Sequence, residues 1–357
     1  MIRVLIVDDE PTIRLGIRNI LEDDPELTVI GEARNGEDAI GLCMKLRPDI
    51  VTMDILMPGM SGYEAIRKIM DKTPCPIVVL TSLDSKAIME VSFKALAFGA
   101  LTVLQKPRSL NPENAEVKHL IEQIKIMAGV KVVRRHLSLD SPFPRPVNGR
   151  AQDTVPERHV FSSRMRKKAR LIAIGTSTGG PPALQIILSG LPSNFSLPIV
   201  IVQHISHGFI SGMADWLSAT TRLRCKVGEY GEVIQSGTVY LAPDETHTVV
   251  SDNGLLLLDY SDPIGGHRPS VNALFESVAK NFRAEAIGIL LTGMGQDGAE
   301  GLKAMHQAGA YTIAQDEASS IVFGMPGTAV RTGAVDEVIS LNLIAPRLEG
   351  LTENIKE

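Results

Sequence analysis

The chain has 357 residues and a formal net charge of −5, and 44% of its residues are hydrophobic against 22% charged. This length exceeds one ordinary hydrophobic core and predicts two domains, and the composition is typical of a globular protein. The acidic balance argues against nucleic acid as the main partner, no apolar run reaches the roughly 18 residues of a membrane span, and the amino terminus lacks a signal-peptide pattern. The three cysteines lie far apart without metal-ligand spacing, which indicates a reducing, cytoplasmic compartment.

Residues 1–127 alternate short apolar strands with amphipathic helices and form the first predicted domain. The strands are predicted at Arg3–Val7, Thr28–Ala33, Ile50–Met53, Ile77–Leu80 and Leu101–Leu104. The helices are predicted at Thr12–Leu21, Glu37–Leu46, Tyr63–Met70, Lys86–Phe98 and Asn114–Met127. This (βα)5 pattern predicts a flavodoxin-like α/β domain, in which helices cover both faces of a parallel sheet.

Polar residues collect at the carboxyl ends of these predicted strands. They are Asp8 and Asp9 after the first strand, Asp54 after the third, Thr81 after the fourth and Lys106 after the fifth. Such ends converge at one edge of a parallel sheet. Three neighbouring carboxylates would repel one another without a cation, and oxygen ligands favour Mg²⁺. A lysine and a hydroxyl on the rim are suitable partners for a phosphoryl group. Acidic residues that merely cap helices would explain Asp8 or Asp54 singly, but not the whole set.

The first domain resembles a two-component response-regulator receiver. The matching motifs are Asp8-Asp9, Asp54 within Met53–Gly59, Thr81-Ser82 and Lys106-Pro107. The resemblance implies that Asp54 accepts a phosphoryl group from a histidine kinase, that Asp8, Asp9 and Asp54 arrange Mg²⁺, and that Thr81 and Lys106 sense the phosphate. Val103 departs from the pattern, because receivers usually carry an aromatic switch residue at this position.

Residues 128–168 interrupt the alternating pattern and are predicted to be a linker. Four prolines break any helix, and the segment is basic although the whole chain is acidic. The composition favours a solvated tether. A basic segment could also make an electrostatic contact with an acidic receptor or with the first domain.

Residues 169–350 form the second predicted domain, a Rossmann-like α/β fold with a mostly parallel sheet and an antiparallel edge. Its strands are predicted at Leu171–Ile174, Ile199–Gln203, Thr238–Ala242, Thr246–Ser251, Leu255–Leu258, Ile287–Leu291 and Tyr311–Ala314. Several of them are separated by helical stretches, which is typical of α/β domains.

The stretch Leu171–Pro182 runs from a strand through a glycine-rich turn into a helix that begins at two prolines. Its pattern Gly175-x-Ser177-x-Gly179 matches a nucleophile elbow, in which glycines let the backbone bend and expose the serine hydroxyl. A plain glycine-rich turn or a phosphate-binding loop would look similar. A dinucleotide loop is disfavoured, because Ser177 occupies the place of the second glycine in that fingerprint.

Two further strand ends carry candidate partners for this serine. His204 directly follows the second strand of the domain, and Asp297 lies in the loop after the Ile287–Leu291 strand. Neighbouring loops at the carboxyl edge can bring Ser177, His204 and Asp297 together as a triad. Each residue alone could be structural, and His207 and His267 are rival candidates for the base.

The second domain resembles the catalytic domain of the chemotaxis protein-glutamate methylesterase family. The matching segments are residues 175–180, Gln203-His204, His267–Val271, Thr292–Gly298, Thr312–Ser320 and Val322–Pro326. The resemblance implies hydrolysis of glutamyl methyl esters, and deamidation of glutamines, on methyl-accepting chemotaxis receptors. It implies Ser177, His204 and Asp297 as the catalytic residues, Thr178, Met294 and His267 as oxyanion or site-lining residues, and no metal in this domain. The alternatives are a phosphorylation-dependent binding protein with an inactive hydrolase scaffold and an esterase for small molecules.

Overall fold

The computed structural model describes residues 1–82, 92–96, 98–109, 111–130, 132, 169–333 and 335–353, and every structural statement below concerns these residues. The chain divides near residue 145 into two compact units, the first unit and the second unit. In the described part of the chain, no helix is long and apolar enough to cross a membrane. The predicted linker lies almost entirely outside the described residues.

The first unit is a parallel five-stranded sheet with helices around it. The strands are β1 (Ile2–Val7), β2 (Leu27–Ala33), β3 (Ile50–Asp54), β4 (Ile77–Thr81) and β5 (Thr102–Gln105). The helices are α1 (Pro11–Glu22), α2 (Gly36–Leu46), α3 (Gly62–Lys72) and α4 (Ala115–Ala128), and residues 92–96 are also helical. The strand order β2-β1-β3-β4-β5 confirms the flavodoxin-like prediction. Part of the predicted helix Lys86–Phe98 lies outside the described residues.

The second unit is built on a seven-stranded sheet and a separate two-stranded hairpin. Its strands are β6 (Leu171–Thr176), β7 (Ile199–Gln203), β8 (Arg224–Val227), β9 (Thr238–Leu241), β10 (His247–Val250), β11 (Leu256–Asp259), β12 (Ala286–Leu290), β13 (Tyr311–Gln315) and β14 (Glu337–Ile339). Its helices are α5 (Gly180–Gly190), α6 (Ile210–Thr220), α7 (Val271–Asn281), α8 (Ala299–Gln307), α9 (Met325–Arg331) and α10 (Leu341–Glu353). The large sheet has the order β14-β13-β12-β6-β7-β9-β8.

The prediction that this sheet has an antiparallel edge is wrong. All six strand pairs in the large sheet are parallel, and the antiparallel strands β10 and β11 pair with each other instead. The edge strands β8 and β14 were not predicted from the sequence. They are four and three residues long, and both carry charged residues, so neither gives a clear apolar signal.

Strand β6 occupies the centre of the second unit. It pairs with β12 on one side and β7 on the other, so the strand order changes direction at β6. In open α/β sheets this is where a crevice forms beyond the carboxyl ends of the strands. Helix α7 packs directly on β6, because a Cβ on Gly175 would collide with the side chain of Val271. This close approach brings the start of α7 to the same end of the sheet.

Candidate active site

Ser177 lies in the turn between the central strand β6 and helix α5. Gly179 adopts a left-handed conformation with φ +79°, and a Cβ there would lie 2.8 Å from Ile321 Cβ. The Ser177 N–H donates a hydrogen bond to Thr292 O at 3.1 Å, and its carbonyl accepts one from Gly180 N at 2.9 Å. Between residues 171 and 181, Ser177 alone is partly exposed. The predicted nucleophile is thus held by its backbone and open to solvent at the carboxyl end of the sheet.

His204 leaves the neighbouring strand β7 at the same level as Ser177. The parallel register pairs Thr176 with Gln203, and His204 N donates to Thr176 O at 3.0 Å. The buried side-chain amide of Gln203 connects the two residues, since its Nε2 donates to Ser177 O at 2.8 Å and to His204 O at 2.7 Å. One side chain therefore holds the backbones of the predicted nucleophile and the predicted base together.

Asp297 lies buried in the loop after β12, at the start of helix α7. Its carboxylate accepts hydrogen bonds from Val271 N at 2.7 Å, Ser270 Oγ at 2.8 Å and Asn272 N at 3.1 Å, and it lies 2.9 Å from His204 Nε2. Burial alone would raise the pKa of Asp297, but the contact with His204 and the hydrogen bonds outweigh it, so the pKa lies below its usual range. Asp297 is therefore suited to remain an anion beside His204.

The contact with Asp297 distinguishes the two ring nitrogens of His204. Nε2 lies close to Asp297 Oδ2, although the donor direction departs from good hydrogen-bond geometry. Nδ1 is buried and has no hydrogen-bond partner among the described residues. A neutral imidazole with its proton on Nε2 leaves the Nδ1 lone pair available as a proton acceptor. Within the described part of the chain, the Ser177 hydroxyl makes no hydrogen bond, and in unliganded sites catalytic hydrogen bonds are often loose.

The rival histidines occupy different positions. His267 stacks on His204, with ring centroids 4.1 Å apart and ring planes 3° apart. The side chain of His207 is 72% exposed and lies 3.8 Å from Asp244. Asp297 lies 2.9 Å from His204 Nε2, and this contact favours His204 as the base.

Two of the predicted oxyanion or site-lining residues lie in segments next to Ser177. Thr178 follows it in the turn and is buried, and its carbonyl accepts a hydrogen bond from Thr292 Oγ1 at 2.9 Å. Gly293 packs against the nucleophile, since a Cβ there would lie 2.8 Å from Ser177 Cβ, and Met294 is the next residue along the chain. Thr178 and Met294 thus belong to segments that lie next to Ser177.

A cleft of about 370 Å³ opens beside His204. His267, Arg268, His207, Asp244 and Glu245 line its walls together with His204. A second cavity, about 420 Å³, lies near the amino ends of the strands, where Arg170 and Pro198 line it, and none of the predicted site residues is there. The cleft beside His204 is therefore the candidate place for the substrate.

The acidic residues of the first unit form a second site. Asp8 and Asp9 follow β1, Asp54 ends β3, and ligand oxygens of all three lie within 4.8 Å of one another. Burial raises the pKa of Asp54, and this effect exceeds the opposing effect of Lys106. A group of three carboxylates with such short spacing fits a small, hard divalent cation such as Mg²⁺.

Lys106 and Thr81 complete this site. Lys106 Nζ contacts Asp8 Oδ2 at 2.7 Å and Asp54 Oδ2 at 2.8 Å, and its backbone N–H donates to Thr81 O at 2.9 Å. Burial opposes the charge on Lys106, but the bonds to the two carboxylates raise its pKa. Thr81 Oγ1 is buried without a hydrogen-bond partner in the described residues, so a donor is available for an incoming oxygen.

Three residues in these sites received no role from the sequence. Gln203 connects the backbones of Ser177 and His204, and Ser270 holds Asp297 and caps helix α7. In the first unit, Arg14 Nη1 donates to Asp8 O at 2.7 Å and Asp9 O at 3.1 Å. A serine before a helical segment is a recognised capping signal, whereas Gln203 and Arg14 carry no comparable signal.

Comparisons with known proteins agree with both units. A family model described as CheB methylesterase matches residues 172–348, and one described as response regulator receiver domain matches residues 4–115. The catalytic domain of Thermotoga maritima CheB methylesterase, a solved crystal structure, is 37% identical with a TM-score of 0.50, and the match covers 52% of this chain and 100% of that one.

Two curated relatives match nearly the whole chain. A protein-glutamate methylesterase/protein-glutamine glutaminase of Myxococcus xanthus is 44% identical over 354 residues, covering 97% of this chain and 96% of the relative. A protein of the same name from Syntrophus aciditrophicus is 40% identical over 356 residues, and the match covers 99% of this chain and 99% of that protein. The chain therefore belongs to the protein-glutamate methylesterase/protein-glutamine glutaminase family, as an enzyme with a receiver domain before its CheB methylesterase domain.

Proposed function

We propose that this enzyme hydrolyses glutamyl methyl esters, and deamidates glutamines, on methyl-accepting chemotaxis receptors, and that phosphorylation of its receiver controls the reaction during sensory adaptation. The observation that carries the proposal is the buried carboxylate of Asp297, which lies 2.9 Å from His204 Nε2 in the loop after β12, the strand that pairs with β6 before Ser177. The relatives' names supply the substrate class. A histidine kinase would be the phosphodonor, which implies a cytoplasmic enzyme.

The chemistry follows from the tautomer of His204. Nδ1 takes the proton of Ser177 Oγ as the oxygen attacks the ester carbonyl, and Asp297 stabilises the imidazolium that forms. His204 then returns the proton to the leaving methoxide, and methanol departs. Water, deprotonated by the same nitrogen, hydrolyses the acyl-enzyme and regenerates the Ser177 hydroxyl. A glutamine side chain would react by the same steps and release ammonia.

Backbone groups are the proposed stabilisers of the tetrahedral intermediate. The N–H of Thr178 follows the nucleophile at the start of helix α5, and the N–H of Met294 lies in the loop that packs on Ser177 through Gly293. Fixed donors of this kind, aimed at the developing oxyanion, typically contribute factors of about 10²–10³ each to turnover. Thr178 and Met294 are thus the proposed oxyanion residues, and His267, which stacks on His204, is a proposed site-lining residue.

The receiver is proposed to accept its phosphoryl group on Asp54. Asp8, Asp9 and Asp54 would hold Mg²⁺, which neutralises charge between the carboxylates and the incoming phosphoryl group. Lys106 and Thr81 have a charged and a hydroxyl donor at the same edge and would bind the phosphoryl oxygens.

The decisive experiment measures methanol release from receptors that carry radiolabelled methyl esters. We expect Ser177→Ala to lower turnover by about 10⁶, the typical cost of removing a triad nucleophile. Ser193→Ala is the matched control, because Ser193 is an exposed serine of the same unit, and it should retain wild-type turnover. Methanol release by Ser177→Ala within about tenfold of wild type would rule out Ser177 as the nucleophile. A wild-type chain that binds receptors and releases no methanol would support a binding protein instead.

A further inference from the structure

His204 needs a second restraint, because its contact with Asp297 does not by itself determine the plane of the ring. Nε2 lies 2.9 Å from Asp297 Oδ2, but the donor direction is poor and Nδ1 has no partner among the described residues. The ring can rotate about its Cβ–Cγ bond, which moves Nδ1 more than Nε2, so a poorly aligned contact at Nε2 restrains this rotation only weakly. Nδ1 would then move away from the direction in which Ser177 must approach.

The side chain of His267 supplies such a restraint. Its ring is stacked on that of His204, with 4.1 Å between the ring centroids and an angle of 3° between the two ring planes. Parallel packing at this distance limits rotation and tilt of the ring while leaving both nitrogens of His204 free to bond in its own plane. Both rings line the same cleft.

His267 is itself placed by a short hairpin. Ile264 and His267 exchange two backbone hydrogen bonds, at 3.1 Å and 3.0 Å, across a turn made by Gly265 and Gly266. These glycines have φ +59° and +85°, as a two-residue turn of this kind requires. The chain then reaches Ser270, which donates to Asp297 at 2.8 Å. One continuous segment therefore positions both groups that contact the His204 ring.

We infer that His267 is a positioning residue for the hydrolysis, whose stacked imidazole holds the plane of His204 and so the direction of Nδ1. The inference rests on the proposed function, in which Nδ1 accepts the serine proton. Stacking needs an aromatic face and not a titratable nitrogen, so phenylalanine should replace histidine at this position and alanine should not.

The test compares His267→Ala with His267→Phe in the full chain, using methanol release from methylated receptors. We expect His267→Ala to lower kcat by about 10- to 100-fold, the effect of misplacing a catalytic group by roughly 1 Å, with KM changed by less than about threefold. His267→Phe should recover kcat to within about threefold of wild type. Equal thermal unfolding midpoints of the two variants would show that folding does not cause the difference.

Proton NMR of the His204 ring separates this inference from the proposed function. Stacking should shift the ring protons upfield in the wild type and in His267→Phe, and the shift should disappear in His267→Ala. Full kcat in His267→Ala, or a His267→Phe variant as slow as His267→Ala, would overturn the positioning role. A wild type that shows the upfield shift but hydrolyses no ester would overturn the proposed function and leave the stacking itself established.

Discussion

At the scale of single residues, the second unit depends on side chains that hold other groups in place. The side-chain amide of Gln203 donates one hydrogen bond to the carbonyl of Ser177 at 2.8 Å and one to the carbonyl of His204 at 2.7 Å. The two carboxylate oxygens of Asp297 accept hydrogen bonds from the start of helix α7, and one of them also contacts His204. The side chains of Gln203 and Asp297 are buried, so losing one of these bonds leaves a buried polar group unsatisfied and costs more than the bond alone contributes.

The role of Gln203 leads to a test with an isosteric change. Gln203→Glu replaces a double donor by an oxygen that faces two carbonyl oxygens, which separates the backbones of Ser177 and His204. We expect kcat for methanol release to fall by about 10- to 100-fold, with a smaller effect on KM.

The matched control for this change is Gln185→Glu. Gln185 is a buried glutamine of the same unit, and its Nε2 donates to Ser189 on helix α5. That variant should lose stability in urea unfolding while the folded enzyme keeps its kcat. Wild-type kcat in Gln203→Glu would contradict the role given to Gln203.

At the scale of elements, three adjacent strands present the candidate chemistry and one helix end supports it. Ser177, His204 and Asp297 follow β6, β7 and β12, which lie side by side in the sheet. Helix α7 contributes its first N–H groups to the Asp297 carboxylate, at the end where the helix dipole favours a negative charge. Asp297 thus belongs both to the cap of helix α7 and to the candidate site.

Because of this overlap, the cap of α7 should affect both stability and catalysis. Ser270 Oγ accepts from Asn272 N at 3.1 Å and donates to Asp297 Oδ1 at 2.8 Å. We expect Ser270→Ala to cost about 1 kcal/mol of unfolding free energy, the usual value for an N-cap, and also to lower kcat. Urea unfolding and methanol release measure the two effects.

The control for this prediction is Asn35→Ala in the receiver. Asn35 caps helix α2 by accepting from Asp38 N at 2.8 Å, so the variant loses a comparable cap far from the hydrolase in sequence. It should cost similar stability and leave unphosphorylated kcat unchanged. If Ser270→Ala also left kcat unchanged, the cap of helix α7 would not affect catalysis and the prediction would be wrong.

At the scale of the whole molecule, the proposed phosphorylation site and the candidate active site belong to two separate compact units. Val103, at the position where receivers usually carry an aromatic residue, is a buried core residue of β5. The receiver can control the hydrolase only if phosphorylation changes the free energy of one state relative to another.

We therefore expect the unphosphorylated receiver to restrain hydrolysis. A phosphodonor should raise methanol release by the full chain by about five- to 150-fold, the range of ordinary coupling free energies. A fragment of residues 169–357 should be faster than the unphosphorylated full chain and should not respond to the phosphodonor. Asp54→Asn in the full chain is the control and should abolish the response. A fragment no faster than the unphosphorylated chain would show that the receiver does not inhibit.

The sequence by itself was sufficient to predict the alternation of strands and helices and to predict which polar residues lie at the strand ends. Those signals are local, because a short apolar run followed by glycine or a polar residue predicts the end of a strand to within a few positions. The structure confirms the parallel sheet of the first unit, the mainly parallel character of the large sheet in the second unit and the helix that begins at Gly180-Pro181, but not the antiparallel edge. The short edge strands were missed, because three or four residues with charged members carry too little periodicity.

Only the tertiary structure decided how the side chains meet. The ring nitrogen of His204 that contacts Asp297, the amide of Gln203 between two loops, and the stacking of His267 on His204 join residues from different strands and hairpins. Such contacts depend on strand order and register, which are determined by packing across the whole sheet. A sequence motif therefore predicts the candidate reactive residues, whereas the fold determines which of their atoms approach one another.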